Sequence, residues 1–139
     1  MRGLLLKALT VASIATPHAT AVAAGDPYVG EYLGNCERAQ CFIEITKIRK
    51  KGKNYNLRFM ATDSMDAQKV LCKADIPMRR GRLEFTINEN YEDALSGEYG
   101  ADPLVWLLSF SDGSIQFFAE DVRCGRFDMS GEYGPFGDK

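Results

Sequence analysis

Residues 54–61 read Asn54-Tyr55-Asn56-Leu57-Arg58-Phe59-Met60-Ala61, and their order decides the fold class. Tyr55, Leu57, Phe59 and Ala61 fall on one side of an extended chain and Asn54, Asn56 and Arg58 on the other. That is the pattern of a strand with one buried and one wetted face. Residues 82–87 repeat it, with Leu83, Phe85 and Ile87 against Arg82, Glu84 and Thr86. Further out, 41–49 sets Ile43 and Ile45 against Glu44 and Thr46, and 69–75 alternates Val70, Cys72 and Ala74 with charged neighbours. Residues 104–110 and 115–119 are more uniformly apolar, as strands covered on both faces are. Trp106, amid Leu104, Val105, Leu107 and Leu108, is expected in the core. Residues 28–33 and 126–133 complete a set of about eight strands.

Turn chemistry separates these strands. Lys50-Lys51-Gly52-Lys53 and Arg79-Arg80-Gly81 interrupt the patterns, and Ser111-Asp112-Gly113-Ser114 holds an Asp-Gly pair. Such pairs suit tight hairpins whose two central residues take positive φ. No window of a dozen residues carries a helical period; the nearest are 64–71 and a turn around 91–95. The chain is therefore expected to be all-β, either a small antiparallel β-barrel of about eight strands in a meander or a compact β-sandwich. Gly-Glu-Tyr occurs at 30–32, 97–99 and 131–133. Its expected role is a bend at the glycine and a tyrosine that seals a barrel end.

The chain has 139 residues, 45% of them hydrophobic and 26% charged, the composition of one folded domain. Arg2 and Lys7 flank Leu4-Leu5-Leu6, no charge follows from Ala8 to Gly25, and the stretch ends Ala21-Val22-Ala23-Ala24. These features predict a signal peptide over residues 1–24, cleaved to leave 25–139 as a single disulfide-braced β domain. Thr16, Pro17, His18 and Thr20 break the apolar run, which falls short of the roughly 20 residues a span needs. The expected location is periplasmic or secreted, with no integral membrane span once the signal is gone.

Cleavage would remove His18, the single histidine, and leave 15 basic and 19 acidic residues. Ser–His and Cys–His nucleophiles and histidine-bound zinc then drop out. No catalytic residue, metal or cofactor is expected, and the chain reads as a non-enzyme. Paired carboxylates are the one catalytic device left. The acidic balance argues against nucleic acid as a partner. Charge is unevenly placed: residues 36–82 carry 12 basic and 5 acidic side chains, residues 83–139 carry 3 and 12. Strands of opposite sign lying side by side would pair and neutralise this. Kept apart, they would give a dipolar surface with an acidic face for a basic partner.

Four cysteines in an exported chain suit two disulfides. Spacing leaves three connectivities open, and the expected pairing is Cys36–Cys41, closing a tight loop, with Cys72–Cys124 joining distant segments. Chain entropy assigns about 2 kcal/mol to the short bridge and about 4 to the long one.

Binding is the expected class of function, because polar loops on a rigid scaffold are where recognition lives. Candidate loops are 62–68 and an acidic connection over 88–103, which holds Glu89, Glu92, Asp93, Glu98 and Asp102. Tyr91, Glu92, Asp93, Glu98 and Tyr99 are the candidate binding residues, the tyrosines serving as amphipathic anchors. The partner is expected to be a protein with a basic surface. A small ligand carried inside the barrel, or an envelope or host-interaction role, are the alternatives.

The signal segment, a mature domain near 115 residues, the eight-strand pattern and the bracketing cysteines resemble the small periplasmic lysozyme inhibitors of proteobacteria. The resemblance implies a β-barrel that plugs the carboxylate-bearing cleft of a basic enzyme with an exposed loop. It is one of architecture and location. Where those inhibitors carry a Ser-Gly-Ser-Gly-type stretch and a Lys-Tyr pair, this chain has Ser111-Asp112-Gly113-Ser114-Ile115.

Overall fold

A computed structural model describes residues 25–101 and 103–136; the expected signal peptide and Asp102 lie outside the described residues. Ten strands follow in order: β1 (Gly30–Cys36), β2 (Ala39–Lys50), β3 (Lys53–Asp63), β4 (Val70–Thr86) and β5 (Glu89–Glu98), then β6 (Leu104–Ser109), β7 (Ile115–Phe118), β8 (Arg123–Cys124), β9 (Phe127–Asp128) and β10 (Gly131–Pro135). Eight of them close an antiparallel barrel in the order β1-β10-β7-β6-β5-β4-β3-β2, and β8 and β9 form a separate hairpin between β7 and β10. The sandwich alternative is set aside. No helix occurs among the described residues; 64–68 are bend and turn, and the strand that follows begins at Val70.

Period-two alternation builds the interior. Tyr55, Leu57, Phe59 and Ala61 of β3 point inward, joined by Ile43 and Ile45 of β2 and Ile76 and Met78 of β4. Leu95, Leu107, Ile115 and Phe117 complete the far side, all with no exposed surface. These bulky side chains fill the space that eight strands enclose. Tyr32 and Tyr133, on the closing strands β1 and β10, are buried too. Each hydroxyl donates to the carbonyl four residues earlier, Tyr28 or Met129, at 2.7 Å. Two of the three Gly-Glu-Tyr copies thus do the sealing expected of them. The seam leaves no room to spare: a Cβ on Gly34 would stand 2.5 Å from the ring of Tyr133, its register partner.

Both expected disulfides are present, with Cα separations of 5.6 Å for Cys36–Cys41 and 5.9 Å for Cys72–Cys124. The first closes the β1–β2 turn, and the second ties β8 to β4. The β6–β7 hairpin turns at Asp112-Gly113, but only Gly113 takes positive φ, 88°. Asp112 instead uses its carboxylate, accepting from the Ser114 backbone N–H at 2.9 Å and hydroxyl at 2.6 Å. That is an Asx-type cap on the turn.

Four expectations need correction. The connection over 88–103 is largely strand, since Glu89–Glu98 pairs with both β4 and β6. The stretch 82–86 is strand but not core-facing, and Ile87 lies in the turn that follows: Phe85 is 39% and Ile87 95% exposed. The barrel core covers only one face of β6 and β7, and Trp106 points outward because Val105 and Leu107 take the inside. The charges do not cancel strand by strand either. A meander keeps sequence neighbours adjacent, so the basic segment occupies β2, β3 and β4 while the acidic one occupies β5, β6, β7 and β10. Ion pairs cross between them at the β4–β5 seam, through Arg80–Asp93 and Arg82–Glu92.

Candidate functional site

The β4–β5 hairpin outruns the barrel. Pairing of β4 with β3 ends at Met78, yet β4 continues to Thr86. Where the hairpin leaves the wall, Gly81 faces Ala94 and Leu83 faces Tyr91, so β5 carries one residue more than β4. Ala94 and Leu95 are consecutively buried, which breaks the alternation at the same place. An extra residue of this kind bends and twists a strand. The consequence is visible at Trp106. Its register partner on β5 is Ser96, and Tyr91 lies five residues further, about 17 Å away along a straight strand. The Tyr91 ring is nevertheless 5.1 Å from that of Trp106. The arm therefore folds back over the outer face of β6 and β7.

Four aromatic rings meet there. Trp106 and Phe118 are directly paired on β6 and β7 and stack at 3.7 Å with planes 8° apart. Phe85 of the arm comes within 5.0 Å of Trp106 and 6.5 Å of Tyr91. Beside this cluster lies a groove of about 720 Å³, walled on one side by the arm and on the other by the β7–β8 turn and the β8–β9 hairpin. Its aromatic lining is bordered by Glu89, Glu120, Asp121 and Asp128, with Arg123 the only basic residue on it. The Val122 backbone N–H donates to the Ala119 carbonyl at 3.0 Å, and Asp121 sits in that turn at φ 60°. Leu104, 46% exposed, extends the apolar floor.

The candidate binding residues disperse. Tyr91 alone lines the groove. Glu92 is exposed and stands 3.7 Å from Arg82. Asp93 is held by Arg80 through two bonds of 2.8 Å, which raise the guanidinium above its ordinary range. Glu98 is exposed at the end of β5, opposite Leu104. Tyr99 packs against the core, and its N–H donates to the Pro103 carbonyl at 3.3 Å. Sequence reasoning missed Phe85, Trp106, Phe118, Glu120, Asp121 and Asp128. The phase of β6 and β7 was the available signal: if Val105, Leu107 and Phe117 point in, Trp106 and Phe118 must point out.

A second polar cluster caps one barrel end. Asp26 accepts from the Tyr55 hydroxyl and from the backbone N–H groups of Tyr28 (2.9 Å) and Val29 (3.4 Å). Lys47 and Arg80 stand 3.4 and 3.7 Å away. Burial alone would raise this carboxyl; the hydrogen bonds from Tyr55 and the backbone together outweigh it and hold the group below its ordinary value. Tyr28, under the Arg80 guanidinium at 5.2 Å, is pushed up to about 12, chiefly by burial. Asp26 is held by Tyr55, the backbone and two cations, while the Tyr28 hydroxyl is buried without a hydrogen-bond partner among the described residues; the cluster fastens the segment before β1 to the barrel.

Among the described residues no three His, Cys, Asp or Glu side chains are placed to hold a metal ion, and no helix is long and apolar enough to cross a membrane. No family model matches the chain, and neither a curated protein nor a solved structure matches it.

Proposed function

We propose that this chain is an exported recognition protein that holds a basic segment of a partner protein in the aromatic–acidic groove. One observation carries the reading: exposed aromatic surface and four carboxylates share one outer wall with a single arginine. Lysine and arginine have an apolar stem and a charged tip. The stem can lie along the outward surfaces of Phe85 and Tyr91 while the tip meets Glu120 or Asp121. A sugar would need a free ring face, but Phe118 covers one face of Trp106 while Phe85 and Tyr91 crowd it from the arm. The barrel interior is filled with side chains, so a carrier role would also have to use the outer groove. The leader-like terminus and two disulfides support export. An inhibitor of a basic enzyme such as lysozyme, or an envelope or host-interaction protein, are the physiological forms this reading takes.

Calorimetric titration with c-, g- and i-type lysozymes, alongside retention of basic proteins from periplasmic and host extracts, tests it. Binding should weaken at least about tenfold in the Glu120→Gln/Asp121→Asn variant and fall steeply with added salt. Glu98→Gln, outside the groove, should bind as wild type. No salt-sensitive basic ligand in either assay, or equal binding by all variants, refutes the reading.

A further inference from the structure

Arg123 and Arg126 are the only basic residues in the described part of the acidic half, and both open onto one concavity. It measures about 640 Å³ and lies between the β8–β9 hairpin and the β1–β2 turn, which contributes Arg38. Elsewhere the arginines at the β3–β4 and β4–β5 seams are engaged: Arg58, Arg80 and Arg82 each hold a carboxylate within 2.9 Å. Among the described residues Arg38, Arg123 and Arg126 form no ion pair, although Glu37 and Asp128 lie on the same wall. Asp128 is turned to its own chain, accepting from the Ser130 backbone N–H at 2.9 Å.

The three guanidinium groups are set on braced supports. Arg123 donates to the Arg126 carbonyl at 3.1 Å, and the Arg126 guanidinium lies 5.0 Å over the Phe127 ring. Cys124, between the two arginines, is bonded to Cys72 on β4. The Cys36–Cys41 bridge closes the turn that bears Arg38. Each arginine-bearing turn therefore has its own disulfide. Arg38 also takes φ 59° in the second position of the two-residue turn between Cys36 and Ala39. That conformation suits glycine or asparagine and strains other residues. An arginine at a position that favours glycine, lining the same concavity as two more arginines, is strain where a side chain has a use.

We propose that this concavity binds an oxyanion, a phosphate group held by Arg38, Arg123 and Arg126. Guanidinium forks match the oxygen spacing of phosphate and donate two bonds at a time. Fixed supports reduce the ordering cost that flexible arginines would bring. A soluble phosphate compound and a lipid headgroup present the same oxygens. Glu37 and Asp128 offset part of the charge, so binding should be moderate and salt-sensitive. Arg123 and Asp128 border both the groove and this concavity, but the inference needs neither a protein partner nor a basic one.

The test titrates inorganic phosphate into the purified protein, disulfides intact, with ionic strength held by chloride. Saturable binding with Kd near 1 mM or tighter is expected, weakened at least about tenfold by Arg123→Gln or Arg126→Gln. Arg38→Gly separates binding from folding. It should raise Tm by a few degrees, because glycine relaxes the turn, while phosphate affinity falls. Sedimentation with phosphatidylcholine vesicles, with and without phosphatidylglycerol, distinguishes the sources. Retention that needs phosphatidylglycerol and all three arginines assigns a headgroup; phosphate binding without retention assigns a soluble compound. The proposal is overturned if phosphate acts no differently from chloride and the two vesicle types retain equal protein. It is overturned equally if the arginine variants bind as wild type.

Discussion

Strand β3 and the β4–β5 arm carry the same alternation of apolar and polar residues and meet opposite ends. β3 has β2 on one side and β4 on the other along most of its length, so its apolar face closes onto the barrel interior. Tyr55, Leu57, Phe59 and Ala61 are at most 3% exposed. In the arm β4 and β5 have only each other, because β3 stops pairing at Met78 and β6 reaches only to Leu95. Leu83, Phe85 and Ile87 have no interior to enter. Phe85 settles on Trp106 across the outer wall, and Ile87 stays in water. Alternation makes a two-faced strand; the length of its neighbours determines whether a core lies against the apolar face.

The largest expected difference between the two regions comes from truncating matched phenylalanines. Phe59 has no exposed surface and sits within the closed barrel, so Phe59→Ala should cost about 3–5 kcal/mol. Phe85 keeps 39% of its surface exposed and touches two rings, so Phe85→Ala should cost about 0.5–1.5 kcal/mol. Urea unfolding of both variants measures this. Equal losses would mean that the arm folds as part of the cooperative core, and the contrast would break.

That contrast also separates what is legible in the sequence from what is not. The strand set and the turn at Asp112-Gly113 follow from local patterns, period two and turn residues, and the even cysteine count suits the two disulfides. Sequence leaves barrel and sandwich open; closure, which pairs every edge, is decided by the pairing of β1 with β10. The groove does not follow from local patterns, because it depends on a bend. The extra residue opposite Arg82 is silent in composition, yet it swings Tyr91 from a predicted loop onto Trp106. Leu104-Val105-Trp106-Leu107-Leu108 hides its own phase, since an apolar residue stands on both faces. The acidic residues grouped by proximity in sequence, Glu92, Asp93 and Glu98, do not border the groove. Those that border the groove, Glu120, Asp121 and Asp128, come from the small hairpin region and join Glu89 only in three dimensions.

A smaller effect, and one with a pH signature, sits at the barrel end. Because the folded state holds the Asp26 carboxyl below its unfolded value, its contribution is fully present above the unfolded pKa, about 4. It is lost as pH falls through the lower folded value. Asp26→Asn should therefore destabilise by about 1–2 kcal/mol at pH 7, where it removes a charge-assisted acceptor from Tyr55 and two backbone donors. Wild type and variant should converge below pH 4. A difference that stays constant from pH 7 to pH 3 would show that packing, not ionisation, is the source.

The arm's counterpart to Asp26 is Asp93, and the smallest effect is expected there. Its two bonds to Arg80 are well formed at 2.8 Å, but the side chains are 44% and 35% exposed, so water and salt compete for both partners. Exposed pairs of this kind contribute at most about 1 kcal/mol, and Asp93→Asn should fall within that bound and shrink further in high salt. Its more informative consequence lies in the position of the arm. Arg80 and Asp93 join β4 to β5 beside the bend that lays Tyr91 on Trp106, and they stabilise that bend without being buried in it. Releasing Arg80 should loosen the arm before it loosens the barrel: amides around Tyr91 should exchange faster while those of β3 keep their protection, and Trp106 fluorescence should become more accessible to quenchers. If exchange in β3 accelerates to the same degree, the seam between arm and barrel is not where the cooperative unit ends.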